Sequence, residues 1–201
     1  MTNEQYFTPQ PSSPSSPYVI RVALPDGTLN LTTDRGVFSY GALDTGTRLL
    51  LLKAPQPPTS GNLLDLGCGV GPIALTLARR SPAATVWAVD VNERAVALCR
   101  QNAEANEITN VRAVLPDGIP DDMLFDCIWS NPPIHIGKTA LHELLLHWLT
   151  RLSPSGSAIM VVQRHLGSDS LQEWLTAQGY PTERLASAKG FRLLRTSRTP
   201  A

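Results

Sequence analysis

Apolar positions recur along this chain with two spacings that take turns. Compact apolar runs at 63–66, 86–89, 111–115, 127–129 and 158–162 have the length of strands. Between them, at 72–80, 93–105, 139–152 and 168–178, lie stretches that read as helices. A further pair of strands closes the chain, ending at Arg198. Strand, loop and helix repeated in this order predict an α/β fold, a mostly parallel, seven-stranded, Rossmann-like sheet with helices on both faces.

Upstream the pattern differs. Residues 1–17 are rich in Pro and Ser and carry too few apolar side chains to offset their ordering entropy, so they are expected to be a disordered tail. Residues 18–24 alternate as a strand does, Pro25-Asp26-Gly27 has turn chemistry, and 28–32 return as a second strand. Asp44 is placed to cap a helix carrying Leu49, Leu50, Leu51 and Leu52, which Pro55, Pro57 and Pro58 then stop. The expected organisation is a tail at 1–17, an N-terminal hairpin and helix at 18–58, and the α/β core at 59–201.

Composition narrows the partners. With 201 residues, 42% of them hydrophobic, the chain can bury one substantial core. Seventeen basic residues balance seventeen acidic ones, so no global positive field draws it to nucleic acid or to an anionic membrane. Any RNA contact must then be a local patch. No apolar run approaches the roughly 20 residues of a membrane span, and a basic-then-apolar leader pattern is missing; a cytoplasmic location is expected. Cys68, Cys99 and Cys127 show no metal-type spacing and sit inside core elements, as reduced thiols do. His142 and His147, five apart on a helix, stand about 140° around it and cannot chelate one ion together. No metal is expected.

The candidate chemistry begins at Asp65-Leu66-Gly67-Cys68-Gly69-Val70-Gly71, which follows an apolar strand and opens a helix whose first-turn Pro72 is pre-set for helical angles. Glycines in such a loop let backbone approach a ligand closely. A dinucleotide fingerprint needs Gly-x-Gly-x-x-Gly, and Pro72 occupies its third glycine position. Asp65 is expected at the mouth of the strand, where a carboxylate repels a pyrophosphate and attracts the ammonium of a methionine moiety. Both points favour S-adenosylmethionine over NAD. Asp90 ends the next strand, 19 residues beyond Gly71, where an acidic side chain accepts both hydroxyls of a ribose. Asp117 either hydrogen-bonds the adenine amine or is an ordinary turn residue in Pro116-Asp117-Gly118.

A second motif, Asn131-Pro132-Pro133, follows the strand ending at Trp129-Ser130 and so belongs at the carboxyl edge of the sheet, facing the glycine loop. Its two prolines remove two N–H donors and leave carbonyls that only accept. An amine giving one hydrogen to the Asn131 side-chain oxygen and the other to the Pro132 carbonyl is drawn toward tetrahedral geometry, its lone pair aimed at the sulfonium methyl. Catalysis is then mostly orientation, which can supply roughly 7 to 11 kcal/mol of barrier reduction.

With these loops on view, the chain resembles the class I S-adenosylmethionine-dependent methyltransferases, and more narrowly the small-subunit ribosomal RNA guanine-N2 methyltransferase family and its single-domain relatives. The resemblance runs from about residue 18 to 198, through Gly36-Val37-Phe38-Ser39, 43–50, the glycine loop, Asn131-Pro132-Pro133-Ile134-His135-Ile136-Gly137-Lys138 and Lys189-Gly190-Phe191-Arg192-Leu193-Leu194. It implies an enzyme that methylates the exocyclic amine of guanine in 16S ribosomal RNA, with S-adenosyl-L-methionine as cofactor and ribosomal RNA or the small subunit as partner. By the same resemblance Phe38, Ser39, Asp44, Gly46 and Thr47 form a lid over the cofactor's methionine end. Asp65, Gly67, Cys68, Gly69, Gly71, Asp90, Val91, Asp117 and Asn131 complete the cofactor site. Asn131, Pro132 and Pro133 hold the guanine amine, and Ile134, His135 and Lys138 meet the substrate. Many amine methyltransferases carry Tyr or Phe after the two prolines; Ile134 stands there in this chain, so stacking falls to Phe38 or Tyr40. Larger family members carry a second, amino-terminal methyltransferase-like domain where this chain has a tail and a hairpin.

Arg184, Lys189, Arg192, Arg195 and Arg198 form a basic segment without an acidic residue. It can bind phosphates, or it can protect an edge strand from pairing. An RNA base must be unpaired or flipped out to reach Asn131. The alternatives to guanine are an adenine amine or a protein glutamine amide, and outside that class an NAD-dependent oxidoreductase or a catalytically inert RNA-binding module.

Overall fold

A computed structural model of the chain describes residues 13–198. Strands β1 (Tyr18–Leu24) and β2 (Gly27–Thr33) form the expected hairpin, and α1 (Thr45–Lys53) follows it. The core then runs β3 (Ser60–Leu66), α2 (Pro72–Arg80), β4 (Ala83–Val89), α3 (Glu93–Ala105), β5 (Val111–Val114) and β6 (Phe125–Ser130). It finishes with α4 (Lys138–Leu149), β7 (Leu152–Gln163), α5 (Ser168–Ala177), β8 (Thr182–Ala188) and β9 (Phe191–Ser197).

The seven core strands lie in the order β5-β4-β3-β6-β7-β9-β8, parallel from β5 to β7, with β9 antiparallel to both of its neighbours. From β3 the chain builds outward through β4 and β5, then returns to the other flank as β6 and β7. That reversal opens a crevice beyond the carboxyl ends of β3 and β6, where the two loop motifs emerge. Along each strand alternate residues serve opposite layers. Leu63, Val86, Cys127, Trp129 and Val161 pack with α1 to α3 and the hairpin, while Leu64, Trp87, Ile128, Met160 and Val162 pack with α4 and α5.

Two expectations are revised. The helix expected at 139–152 stops at Leu149, and Leu152 opens a 12-residue strand instead. Ser153, Pro154, Ser155 and Gly156 cannot propagate a helix, and Phe125 N–H donates to Arg151 O at 2.8 Å, drawing the chain into the sheet. Of the tail expected at 1–17, residues 1–12 lie outside the described residues. The remainder is anchored: Ser15 Oγ and Ser16 N donate to the Asp34 carboxylate at 2.7 and 2.5 Å, and Arg94 donates to Ser13 O at 3.0 Å.

The hairpin's open edge is closed by a helix. Asn102 on α3 and Asn106, the residue just past its end, face β2 and mimic a third strand. Thr32 N donates to Asn102 Oδ1 at 2.7 Å while Asn102 Nδ2 donates to Thr32 O at 3.0 Å. Asn30 N and O exchange the same pair with Asn106 at 3.0 and 2.8 Å. Asn102 Nδ2 also donates to Val70 O at 2.9 Å, so the hairpin, α3 and the glycine loop share one buried amide. Asn102→Ala should cost about 3 kcal/mol, since each buried backbone group left unpaired costs about 1 to 3 kcal/mol. Urea unfolding measures it; a loss below about 1 kcal/mol would show that water serves those groups as well.

Candidate cofactor and acceptor site

The glycine loop turns from β3 across to β4. Gly67 N and Cys68 N both donate to Val89 O, at 2.8 and 2.9 Å. Gly67 and Gly69 have φ of 77° and 52°, and a Cβ on either would meet nothing within 4 Å. These two glycines combine left-handed backbone with an open face toward a ligand. Gly71 does a different job. A Cβ there would lie 2.6 Å from Cys99 Sγ, so its absence lets α2 close on α3, and Gly71 lines no cavity at this site. Cys68 is buried beside Cys99, and that contact together with burial holds its thiol protonated.

Gly69 N donates to Asp90 Oδ2 at 2.8 Å and Asn92 N donates to Oδ1 at 3.0 Å. Each carboxylate oxygen keeps a lone pair for a ligand hydroxyl. Asn92 in turn caps α3 and donates to Gly36 O at 2.8 Å, locking Asp90 between the loop, the helix and the segment before Phe38.

These groups wall a cleft of about 210 Å³. Its wall carries Leu66, Gly67, Val89, Asp90, Val91 and Pro116 from the carboxyl ends of β3 and β4 and the loops after β3, β4 and β5, and Phe38, Asp44, Asn131, Pro132, Pro133, Ile134 and His135 from the segment before α1 and the loop after β6. Asn131 Nδ2 donates to Asp44 Oδ2 at 2.9 Å and to Thr47 Oγ1 at 3.0 Å. With both amide hydrogens committed, Oδ1 is the atom left to accept. Pro132 O already accepts from Ile134 N at 2.9 Å and keeps one lone pair. A smaller recess of about 30 Å³ shares Asn131 with the cleft and is lined by Ser39, Thr47, Gly67, Cys68 and Gly69 among others.

Other expected site residues stand elsewhere. Asp65 is fully buried beneath the loop rather than at its mouth: Oδ2 accepts Ala74 N–H at 2.9 Å, and Oδ1 has no partner. Burial pushes its pKa up to about 8, with Asp90 adding to the rise. As placed, Asp65 fastens the start of α2, and the repulsion of a pyrophosphate cannot be assigned to it. Gly46 lines neither space; a Cβ there would meet the Phe191 ring at 2.8 Å. Asp117 is exposed, because the short turn at 116–118 offers Pro116 to the cleft instead. Tyr40 lines neither space, its hydroxyl 3.5 Å from Ser16 Oγ, so of the two rings expected to stack only Phe38 lines the cleft. Lys138 opens α4 and lines a separate cavity beside Ile134. Residues not foreseen include Val37, Asn92, Ala95, Leu144, Trp148, Gln163, Leu166 and Phe191, all lining the cleft. Gln163 was detectable as the carboxyl end of β7, and Asn92 as a helix cap two residues past Asp90.

Comparison with known proteins decides the family. A model described as "Methyltransferase small domain" matches residues 28–195. The chain belongs to the methyltransferase small domain family. This methyltransferase is 34% identical over 199 residues to the Bacillus subtilis protein YbxB, described as uncharacterized, covering 98% of this chain and 99% of that one. It is 37% identical over 182 residues to the ribosomal RNA small subunit methyltransferase C of Pseudomonas entomophila, covering 87% of this chain but 53% of that one. Among solved structures, the Thermus thermophilus 16S rRNA N2 G1207 methyltransferase, in complex with AdoMet and guanosine, aligns with a TM-score of 0.75 at 25% identity, over 92% of this chain and 52% of that one. The methyltransferase thus spans about half the length of those two ribosomal RNA enzymes.

The Thermus thermophilus enzyme carries AdoMet, and the cleft here fits that molecule's chemistry: a fixed carboxylate at Asp90 for ribose hydroxyls, apolar Val91 and Pro116 beside it for a purine, and two glycines facing open space. Among the described residues no cluster could hold a metal ion, and no helix is long and apolar enough to cross a membrane.

The buried acid makes stability pH-dependent. In the unfolded chain Asp65 ionises near 3.8, whereas in the native protein it holds its proton to about 8. Between those values the native state binds more protons than the unfolded state, so this contribution is complete below the lower pKa and lost as pH rises through the window. Asp65→Asn keeps an acceptor for Ala74 N–H and does not titrate. Its melting temperature relative to the parent should climb steadily from pH 5 to pH 8 in thermal scans; a flat difference would mean the native carboxyl is already ionised.

Proposed function

We propose that this methyltransferase methylates the exocyclic amine of guanine in small-subunit ribosomal RNA. The observation that carries the reading is the double anchoring of Asn131 Nδ2 on Asp44 and Thr47, which reserves Oδ1 for an amine hydrogen. The likeness to the 16S rRNA N2 G1207 enzyme, captured with guanosine, supports guanine over an adenine amine or a glutamine amide.

When bound, S-adenosylmethionine supplies an electrophilic sulfonium methyl group. Asp90 holds the ribose, Val91 and Pro116 flank the adenine, and Phe38, Ser39 and Thr47 cover the methionine end. Asn131 Oδ1 and the remaining Pro132 lone pair take the two amine hydrogens, which pyramidalises the nitrogen and fixes its lone pair. Phe38 supplies the aromatic face that Ile134 lacks. His135 and Lys138, both exposed, line the approach to the substrate. No base stronger than water is needed, because the alkylated nitrogen is cationic and sheds its proton readily.

The test is transfer of labelled methyl onto ribosomal RNA and small subunits from cells lacking the protein, followed by nucleoside analysis. N2-methylguanosine is expected; label confined to adenine or to protein would replace guanine as the acceptor. Calorimetry should show binding of S-adenosylhomocysteine and none of NAD. Asn131→Ala should lower kcat at least a hundredfold, equivalent to ~2.7 kcal/mol, with S-adenosylhomocysteine affinity changed by less than a factor of about three, under ~0.7 kcal/mol. Near-normal turnover in that variant would remove Asn131 from the acceptor site.

A further inference from the structure

Beyond Phe191 the cleft adjoins a second cavity of about 300 Å³ at the β8–β9 hairpin, lined by Arg164, Arg184, Ser187, Lys189, Phe191 and Arg192 among others, with no carboxylate in its wall. Phe191 lines both spaces, and Gln163 of the methyl-transfer cleft immediately precedes Arg164 of the basic one. The two therefore share a wall.

The cations there are not equivalent. Arg192 is buried and ion-paired with Asp169 at the start of α5. Arg164, Arg184 and Lys189 are exposed, and among the described residues none of their side chains has a hydrogen bond or an ion pair. The remaining basic residues of the C-terminal segment are occupied: Arg195 pairs with Glu183, and Arg198 donates to Leu152 O at 3.3 Å. Edge protection fits a charge on β8, the outermost strand, but it does not explain Arg164, which lies in a turn after β7, or Lys189 at the hairpin tip.

Two backbone features fix this arrangement. Arg164 N–H donates to Gly190 O at 2.7 Å, which ties the turn after β7 to the hairpin. Lys189 and Gly190 have φ of 49° and 79°, the two-residue turn in which Asn, Asp or Gly is favoured at the first position. A lysine there accepts left-handed strain and places its charge at the rim of the cavity. Strain held at one position, beside like charges held together without counter-charges, fits a site waiting for an anion.

We propose that this cavity is a phosphate cradle, in which Arg164, Arg184 and Lys189 hold the RNA backbone next to the target nucleotide. The proposal rests on RNA as the acceptor. The arginine forks give paired contacts to phosphate oxygens and the lysine a point charge, and such contacts set register without reading sequence. A strand held here runs along the wall shared with the cleft, so the base beside it is presented toward Asn131.

The test is fluorescence anisotropy with a labelled single-stranded RNA over a range of salt, comparing the parent protein with Lys189→Asn, Arg184→Gln and the double variant. Lys189→Asn removes the charge and gives the turn a residue it prefers, so its melting temperature should hold or rise. The double variant should bind RNA at least tenfold more weakly, and the slope of log affinity against log salt should shrink by about 1.4, at roughly 0.7 per phosphate contact on a single strand. S-adenosylhomocysteine affinity should stay unchanged. Parental RNA affinity and slope in the double variant, or no RNA binding by the parent at low salt, would overturn the cradle, as would an acidic peptide displacing the RNA at lower concentration than RNA itself. If the parent binds RNA through these residues yet transfers no methyl to it, the acceptor reading fails and the cradle stands. If it methylates RNA and the double variant keeps the same KM and salt slope, the cradle fails and the acceptor reading stands.

Discussion

Asp44 Oδ2 is the atom on which the site depends. It accepts Thr47 N–H at 2.8 Å, which starts α1, and Asn131 Nδ2–H at 2.9 Å, which sets the acceptor loop across 87 residues of sequence. The cap of α1 and the orientation of the Asn131 amide are thus one arrangement. Without the cap the segment before α1 loses its anchor; without the amide contact Asn131 could rotate and offer a donor where the proposed chemistry requires an acceptor. Because α1 packs on the same sheet layer as α2 and α3, the lid's position is fixed from the core outward.

The glycine loop divides its labour in a comparable way. Gly67 and Gly69 face space, Gly71 faces sulfur and leucine, and Asp65 sits underneath holding the first turn of α2. The loop can therefore stay rigid without a ligand, since Val89 O already accepts from Gly67 and Cys68 N–H and Asp90 Oδ2 from Gly69 N–H. A preformed site loses little freedom when it binds.

Much of this was legible in the sequence because it rests on local rules. The strand and helix pattern, Asp44 as a cap, Pro72 at a helix start and the position of Asp90 follow from periodicity and capping chemistry. What escaped depends on which way a side chain turns once the layers close. Asp65 alternates onto the buried layer with Leu63 and Cys127, so a residue expected to meet the ligand becomes an anchor. Asp117 fails for the same reason in reverse: a three-residue turn shows Pro116 inward and the aspartate outward. The end of α4 was overrun because apolar Leu152 continues the helical pattern, while Pro154 and Gly156, which forbid it, come after the pattern has ended.

The charge balance fits into this picture. A chain with no net charge cannot attract a polyanion at long range, so the RNA binding proposed above rests on where local cations stand. Most arginines here have structural work: Arg80 pairs with Asp26, Arg94 bridges to Asp34, and Arg100 donates to Ala113 O at 2.8 Å. Arg164, Arg184 and Lys189 have none, and they gather beside the wall that also carries Gln163 and Phe191 of the cleft. Three cations without counter-charges at one rim suit the proposed holding of one strand in one register.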